Sequence, residues 1–570
     1  MTDFPLDPEG PSTDSALPNP ATIKRSGSFL VAAGIFLSST FGLIREVVIS
    51  AFLGVGATAD VFKASVRIPN LIQNLLGEGV LSASFIPVYS RLLEEDPDKA
   101  DDLAGNILGL LLAVMAAMVT LGILLAAPLT RLLTPGFSDP QLELATALLR
   151  IAFPAIALSV LSAFCTGILN SHRKFFLSYA SPVMWNLGQI SFVSAAGIWG
   201  ATDVGLAHAL AWGLLFGAFA EVLIQVRAVR ALMGGARLSF GRASVHTRSV
   251  ISRFVPVITG RGVIQLVNYI ELVLASLLAV GGVSALTYSQ LLYLLPISLF
   301  GMAVAAAELP ELARLGKPGL PMIRERLMFG LDRIAFYVTI TAALYLCVGD
   351  VIVGAIFERN QFNPADTRLV WLTVGAFSLG LLGTTRSRLL QNTLYALDRP
   401  KFVARLAVLR AVLAAGLGAL LMFPLDRWQV VGSRIVQRGD LGLGPLPNHL
   451  RLVDEGMPRL GIVGLALGAA MASWVEYQLL RLALRSRVGK LPRLSPHAKW
   501  CLLAALASGV LAAGIRANTD DLPRLLAAPV VCGPAVLLYL LITATVHVPE
   551  ARALVDAAAA TLGRVRAGQR

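Results

Sequence analysis

The stretch "FLGVGATADVFKASVRIPNLI", Phe52–Ile72, has a partner later in the chain, "LLAVGGVSALTYSQLLYLLPI", Leu277–Ile297. Each stretch ends one apolar helix, turns on glycines and enters a second helix that contains a proline, Pro69 or Pro296. The two stretches are 225 residues apart and six predicted helices separate them, so the chain returns to the same side of a membrane. The pattern therefore predicts parallel repeats related by an axis along the membrane normal. Chance similarity between leucine-rich segments is the alternative, and the matched glycines and prolines argue against it.

The composition of the chain predicts an all-α polytopic membrane protein. Of its 570 residues, 56% are hydrophobic and 15% are charged, a balance too apolar for an ordinary soluble enzyme. Continuous apolar runs of roughly twenty residues recur along the chain, and a helix of that length crosses a bilayer. The net charge of +13 is therefore assigned to cytoplasmic loops, and no nucleic-acid partner is expected.

Fourteen membrane-spanning helices are predicted, and the distribution of charge tests this number. Lys and Arg crowd the connections that follow even-numbered helices, whereas "GVGATA" and "GGVS" on the other side carry none. This asymmetry predicts that both termini are cytoplasmic. The helices are expected at 27–53, 61–92, 104–131, 142–171, 177–200, 204–230, 250–280, 284–313, 327–357, 366–395, 402–424, 460–482, 498–515 and 525–547.

The predicted organisation has two six-helix lobes and two further helices. Two such lobes with a cavity between them are the geometry of an alternating-access transporter. The loop within the second lobe is either an extracytoplasmic lid or a neutral insertion. The predicted units are a disordered cytoplasmic tail at 1–26, lobes at 27–232 and 250–486 with the loop at 425–459, the last two helices at 498–547 and a tail at 548–570.

Ionisable residues concentrate on the first and second helices and on two helices of the second half. A charge at the bilayer centre is costly unless it faces a cavity or a partner. Pairing between Arg45 and Glu46 or Asp60, and between Arg67 and Glu78, is one explanation. A water-filled cavity between the lobes is the other, and arginine there suits phosphate because its planar fork donates two parallel hydrogen bonds.

The residues of the first hairpin resemble a known family. The segment "FGLIREVVISAFLGVGATADVFKASVRIPNLIQNLLGEGVLSASFIPVYSRLLEE", 41–95, is similar to the first two helices of the MurJ/MviN lipid II flippases. These belong to the multidrug/oligosaccharidyl-lipid/polysaccharide exporter superfamily. "FERNQFNPADT" and "YALDRPK" also resemble stretches of the family.

The resemblance implies a flippase that moves a polyprenyl-pyrophosphate-linked peptidoglycan precursor, lipid II, to the outer leaflet of the bacterial inner membrane. We expect a monomer among membrane lipids, with no enzymatic activity, no metal and no cofactor, and with a coupling ion or the membrane potential as the open alternatives for the driving force. The family usually has further arginines where this chain has Ser39, Gln73 and Leu291. The substrate-binding residues expected here are Arg45, Asp60, Arg67, Glu78, Arg261, Arg386 and Arg388.

Three alternatives stay open from the sequence. The absent arginines would also fit a divergent homologue that serves as an envelope-assembly scaffold without transport. An exporter of another lipid-linked glycan, or of a drug, would keep the same fold. A membrane glycosyl- or phosphotransferase is disfavoured because the chain has no HExxH, and its acidic run "DPDKADD" resembles a solvated connection more than a metal site.

Overall fold

The computed structural model describes residues 20–76, 81, 83–233, 244–302, 320–397, 399–431, 434–437, 442–452, 457–489, 491, 495–519 and 521–556. Over these residues the chain is almost entirely helical. A short antiparallel hairpin, β1 at Trp428–Val431 and β2 at Arg434–Gln437, interrupts the helices in the loop predicted at 425–459.

The amino-terminal lobe combines long helices with short connecting ones. Its helices are α1 Pro20–Leu53, α2 Ala57–Leu76, α3 Ile86–Glu95, α4 Pro97–Leu124, α5 Ala126–Leu133, α6 Asp139–Ser171, α7 Phe175–Ala180, α8 Val183–Ile198 and α9 Asp203–Leu232. α1 begins at Pro20, which is earlier than the predicted start at residue 27.

The second lobe follows the same plan and carries two extra helices at its end. A π-helical turn at Ile297–Met302 continues α11 beyond Pro296. The helices are α10 Val245–Ser276, α11 Gly282–Pro296, α12 Leu320–Phe357, α13 Pro364–Ala396, α14 Pro400–Leu425, α15 Asn448–Arg451, α16 Gly461–Val488, α17 Pro496–Arg516 and α18 Arg524–Thr545.

Each of the fourteen predicted spans contains a long helix. Among the described residues, eleven helices are long and apolar enough to cross a membrane, and α2, α8 and α10 account for the other three predicted spans. Two predicted spans contain more than one helix. The second contains α2 and most of α3, with residues 77–80 and 82 between them outside the described residues, and Pro87 lies in the first turn of α3, where a missing N–H costs little. The fifth is divided between α7 and α8, and Pro182 precedes α8.

The pattern of packed helices repeats between the two lobes. In the first lobe α6 packs against α2 and α9, and α8 packs against α1 and α9. In the second lobe α13 packs against α11 and α16, and α14 packs against α10 and α16. These pairs correspond when each helix is matched with the one six spans later, as the parallel repeat predicts. α17 and α18 lie outside the repeat and pack against α12.

Local signals in the sequence fix where several helices begin. Asn363 accepts hydrogen bonds from the backbone N–H groups of Ala365 (2.8 Å) and Asp366 (3.0 Å). The side chain of Asp366 in turn accepts a hydrogen bond from the backbone N–H of Asn363 at 3.1 Å, which completes a capping box. Pro364 occupies the first turn, so "NPAD" is a complete start signal for α13.

Candidate functional site

One face of α2 is polar, and it lines a cavity between the lobes. Lys63, Arg67, Asn70 and Asn74 recur at intervals of four, three and four residues, so they form a single stripe on the helix. All four line a cavity of about 330 Å³, hereafter the chamber, which α1 borders with Arg45 and Glu46 and α11 with Thr287 and Gln290. The polar residues of an otherwise apolar helix thus face a cavity.

A carboxylate of α1 holds two cations at the chamber wall. Glu46 is only 8% exposed, and it accepts from Arg45 Nη2 at 2.7 Å and from the Lys63 ammonium. The Lys63 ammonium also lies 5.0 Å from the centroid of the Tyr288 ring, which belongs to the second lobe. A cation over an aromatic face is attracted by the ring quadrupole, so Lys63 connects the lobes.

Arg67 joins the lobes further along α2. Its Nη2 donates to Gln290 Oε1 at 3.2 Å and lies 3.7 Å from Glu271 Oε2. Gln290 Nε2 in turn donates to Glu271 at 2.8 Å. Tyr269 of α10 donates to the carbonyl of Ile68 at 2.9 Å, which adds a further contact between the lobes beside Arg67.

The chamber carries excess positive charge. Arg45, Lys63 and Arg67 face two carboxylates, Glu46 and Glu271. The side chains of Arg45 and Arg67 are 23% and 21% exposed, and Nε of Arg45 has no hydrogen-bond partner among the described residues. Guanidinium groups whose N–H donors are not all engaged bind phosphate oxygens strongly, so the arrangement suits a phosphorylated anion.

Asp60 lies above the chamber, at the predicted outer end of the bundle. Its two carboxylate oxygens accept from the backbone N–H groups of Gly281 and Ser284, each at 2.7 Å. Asp60 therefore caps the amino terminus of α11 from the other lobe, where the helix dipole favours a negative charge. Gly281 has φ of +93°, which an L side chain rarely adopts. Substrate binding by Asp60 stays a prediction; the structure places both of its oxygens in this seal, with a buried side chain that does not line the chamber.

The loop predicted at 425–459 adds a second closure at the same end. Arg451 of α15 donates to the carbonyls of Gly136 (2.5 Å) and Ser276 (3.3 Å), which belong to opposite lobes. The N–H of Val280 donates to the Arg451 carbonyl at 3.2 Å. A Cβ on Gly136 would lie 1.8 Å from the Ser276 carbonyl oxygen, so only glycine permits this approach. Of the two interpretations of this loop, the contacts favour the lid.

Comparison with known proteins identifies the family. The sequence model of the family described as "Lipid II flippase MurJ" matches residues 49–433. The chain belongs to this family. A Rhizobium tropici protein named "Probable lipid II flippase MurJ" is 31% identical over 409 residues, which cover 70% of this chain and 75% of the relative. A Bdellovibrio bacteriovorus protein of the same name is 29% identical over 414 residues, 72% and 78% of the two chains.

Solved structures share the fold of this MurJ-family chain. One described as "Lipid II flippase MurJ, inward closed conformation" has a TM-score of 0.69 and 19% identity, and the match covers 92% of this chain and all of that one. An inward-facing MATE family transporter of the MOP superfamily has a TM-score of 0.59 and 14% identity, with 79% and 96% covered. At these identities the likeness establishes the architecture alone.

The other predicted binding residues lie elsewhere. Arg386 is 2% exposed and donates to the carbonyl of Leu331 at 3.4 Å, so it is buried between α12 and α13 and does not line the chamber. Arg388, two residues further along α13, is exposed and is also absent from the chamber wall. Substrate binding by Arg386 and Arg388 stays a prediction, and the structure places neither residue in the chamber wall. Glu78 and the side chain of Arg261 lie outside the described part of the structure.

Lys63 is the principal binding candidate that the predicted set omits. Its spacing from Arg67, Asn70 and Asn74 was a readable signal, since the four residues share one helical face. Gln290 carried no comparable signal, because its neighbours on α11 are mostly apolar.

Proposed function

We propose that this chain translocates lipid II across the bacterial inner membrane by alternating access, with the diphosphate of the lipid held in the chamber. Arg45, Lys63 and Arg67 converge on one cavity between the lobes, and this observation carries the proposal. The names of the relatives, which describe lipid II flippases, support the choice of substrate. Lys63 supplies a cation in a chain that lacks arginine at positions 39, 73 and 291.

The chamber and the outer seal suggest how binding and opening are linked. A diphosphate that enters the chamber competes with Glu46 for Arg45 and Lys63, and with Glu271 for Arg67. The contacts of Lys63 with Tyr288 and of Arg67 with Gln290 join α2 to α11 across the lobes. A ligand that takes over these cations weakens the contacts that hold the lobes together, and the binding energy offsets the loss.

We further propose an orientation in the membrane, a motion of the lobes and a place for the lipid tail. Both termini lie in the cytoplasm, the lobes rock about the chamber, and the polyprenyl tail stays in the membrane beside α17 and α18. No covalent chemistry takes place on the protein. The transport cycle is driven by an ion or the membrane potential, without a bound cofactor, and the transporter acts as a monomer.

A headgroup-exposure assay in proteoliposomes tests the proposal. Arg45→Ala and Arg67→Ala are expected to reduce the rate at which lipid II reaches the opposite leaflet by roughly 100-fold or more, because each removes a charged donor from the anion site. Arg131→Ala is the matched control, since Arg131 is an exposed arginine at the end of α5 and should leave the rate unchanged. Full transport in both chamber variants would exclude the diphosphate site, and no transport by the wild-type protein would favour the scaffold alternative.

A further inference from the structure

A second cavity of about 380 Å³ adjoins the chamber inside the amino-terminal lobe. Asn70, Asn74 and Trp185 line both cavities, so a molecule that fills one borders the other. Cavities of about 300–1,000 Å³ are typical of small-molecule sites. This side cavity is lined mainly by hydroxyl and amide groups of α2, α6, α7 and α8 and by one carboxylate from α9.

The side cavity differs from the chamber in its charge. Glu221 is the carboxylate; it is 6% exposed and accepts from Ser162 Oγ at 2.6 Å. No Lys or Arg is found among the described residues that line the cavity. A diphosphate would be repelled here, whereas neutral groups that carry O–H and N–H donors would be attracted to the carboxylate.

One residue that lines the side cavity carries a buried, unpaired hydroxyl. Ser178 is 2% exposed, and its Oγ has no hydrogen-bond partner among the described residues. Buried hydroxyls in folded proteins are almost always paired, so an unpaired one that borders a cavity indicates a missing partner. Tyr179 and Trp185 add aromatic surface beside it, which suits the apolar faces of sugar rings.

We propose that the side cavity binds the uncharged glycan part of the headgroup while the chamber holds the diphosphate. Glu221 is then a specificity-determining residue, which accepts hydrogen bonds from sugar hydroxyl or amide groups, and Ser178 is a second contact. This inference rests on the proposed function, because it divides the same headgroup between two adjoining cavities of opposite charge.

Binding titrations with two lipids test the division. The full-length protein in nanodiscs is titrated with lipid II and with a polyprenyl diphosphate that carries no sugar. The wild-type protein is expected to bind lipid II more tightly. Glu221→Gln should weaken lipid II binding about 10- to 100-fold, since a charged acceptor is lost, and should leave the sugar-free lipid unchanged. Ser178→Ala should weaken lipid II binding several-fold without loss of thermal stability, because it removes an unpaired group.

The outcomes separate this inference from the proposed function. Equal affinity of the wild-type protein for both lipids, or unchanged lipid II binding in Glu221→Gln and Ser178→Ala, would overturn the glycan site and leave the diphosphate site intact. Arg67→Ala is expected to weaken both lipids alike, and unchanged binding of both would overturn the diphosphate site instead. If Glu221→Gln lowers the affinity for both lipids, Ser178→Ala decides between the glycan site and a structural role.

Discussion

Replacement of Asp60 by Asn is expected to open the predicted outer end of the bundle. Asp60 accepts two backbone hydrogen bonds at 2.7 Å from the start of α11. Hydrogen bonds to a charged group contribute roughly 1.5–3 kcal/mol each, and a charge at a helix terminus adds a few tenths or more. Asn keeps one acceptor oxygen and loses the charge, so the seal should weaken by about 2–3 kcal/mol. This corresponds to a roughly 30- to 150-fold larger open population.

A thiol introduced beneath the seal measures that population. Thr287 lines the chamber, and in a chain whose four cysteines are replaced, Thr287→Cys reports access from outside. The labelling rate by an impermeant maleimide added to spheroplasts should rise by the same roughly 30- to 150-fold in Asp60→Asn. Asp521→Asn, which alters an exposed carboxylate in the connection between α17 and α18, should leave it unchanged. Equal labelling rates with and without the Asp60→Asn substitution would refute the capping argument.

Two further predictions concern the lid. Arg451→Ala should raise the labelling rate of Thr287→Cys roughly tenfold or more, because it removes hydrogen bonds from a buried guanidinium to carbonyls of both lobes. An unchanged labelling rate would show that the lid does not stabilise the closed outer end. Burial raises the pKa of Asp426 to about 7, although the nearby guanidinium of Arg459 lowers it. Between pH 4 and pH 7 the folded protein therefore holds a proton that the unfolded chain has lost. The free energy of unfolding should fall by up to about 4 kcal/mol as the pH rises from 4 to 7. Asp426→Asn should therefore match the melting temperature of the wild type at pH 4 and exceed it at pH 8, and a difference that does not change with pH would contradict this assignment.

Much of the architecture could be predicted because the membrane restricts the possibilities. Lipid cannot hydrogen-bond a backbone, so apolar runs of sufficient length must be helices, and their number follows from the runs. The repeat was visible because its turns need glycine, as φ of +56° at Gly54 and +93° at Gly281 confirms. The break between α7 and α8 was missed, because both sides of it are apolar and hydropathy does not change across it.

The site was only partly predictable, because its contacts join residues far apart in the chain. The stripe on α2 is a local pattern that the sequence carries, and it includes Arg67, which lines the chamber. The partners of Asp60 are backbone groups more than two hundred residues later, and no side-chain pattern marks a backbone donor. Arg386 had the residue type expected of a binding site, but whether α13 reaches the chamber at all depends on packing between helices that the sequence does not specify.

The seal and the anion site lie on the same two helices, which gives a physical reason for their coupling. From its first turn onward, α2 presents Asp60 to the start of α11, Lys63 to the Tyr288 ring and Arg67 to Gln290. Seven residues of helix span only about 10 Å, and a helix transmits displacement along its axis because its backbone hydrogen bonds are continuous. Any movement of α2 that lets Arg67 follow a diphosphate must therefore also displace the carboxylate of Asp60 from the α11 terminus. Binding and opening can therefore be coupled without a connecting loop, because the same rigid helix, α2, takes part in both.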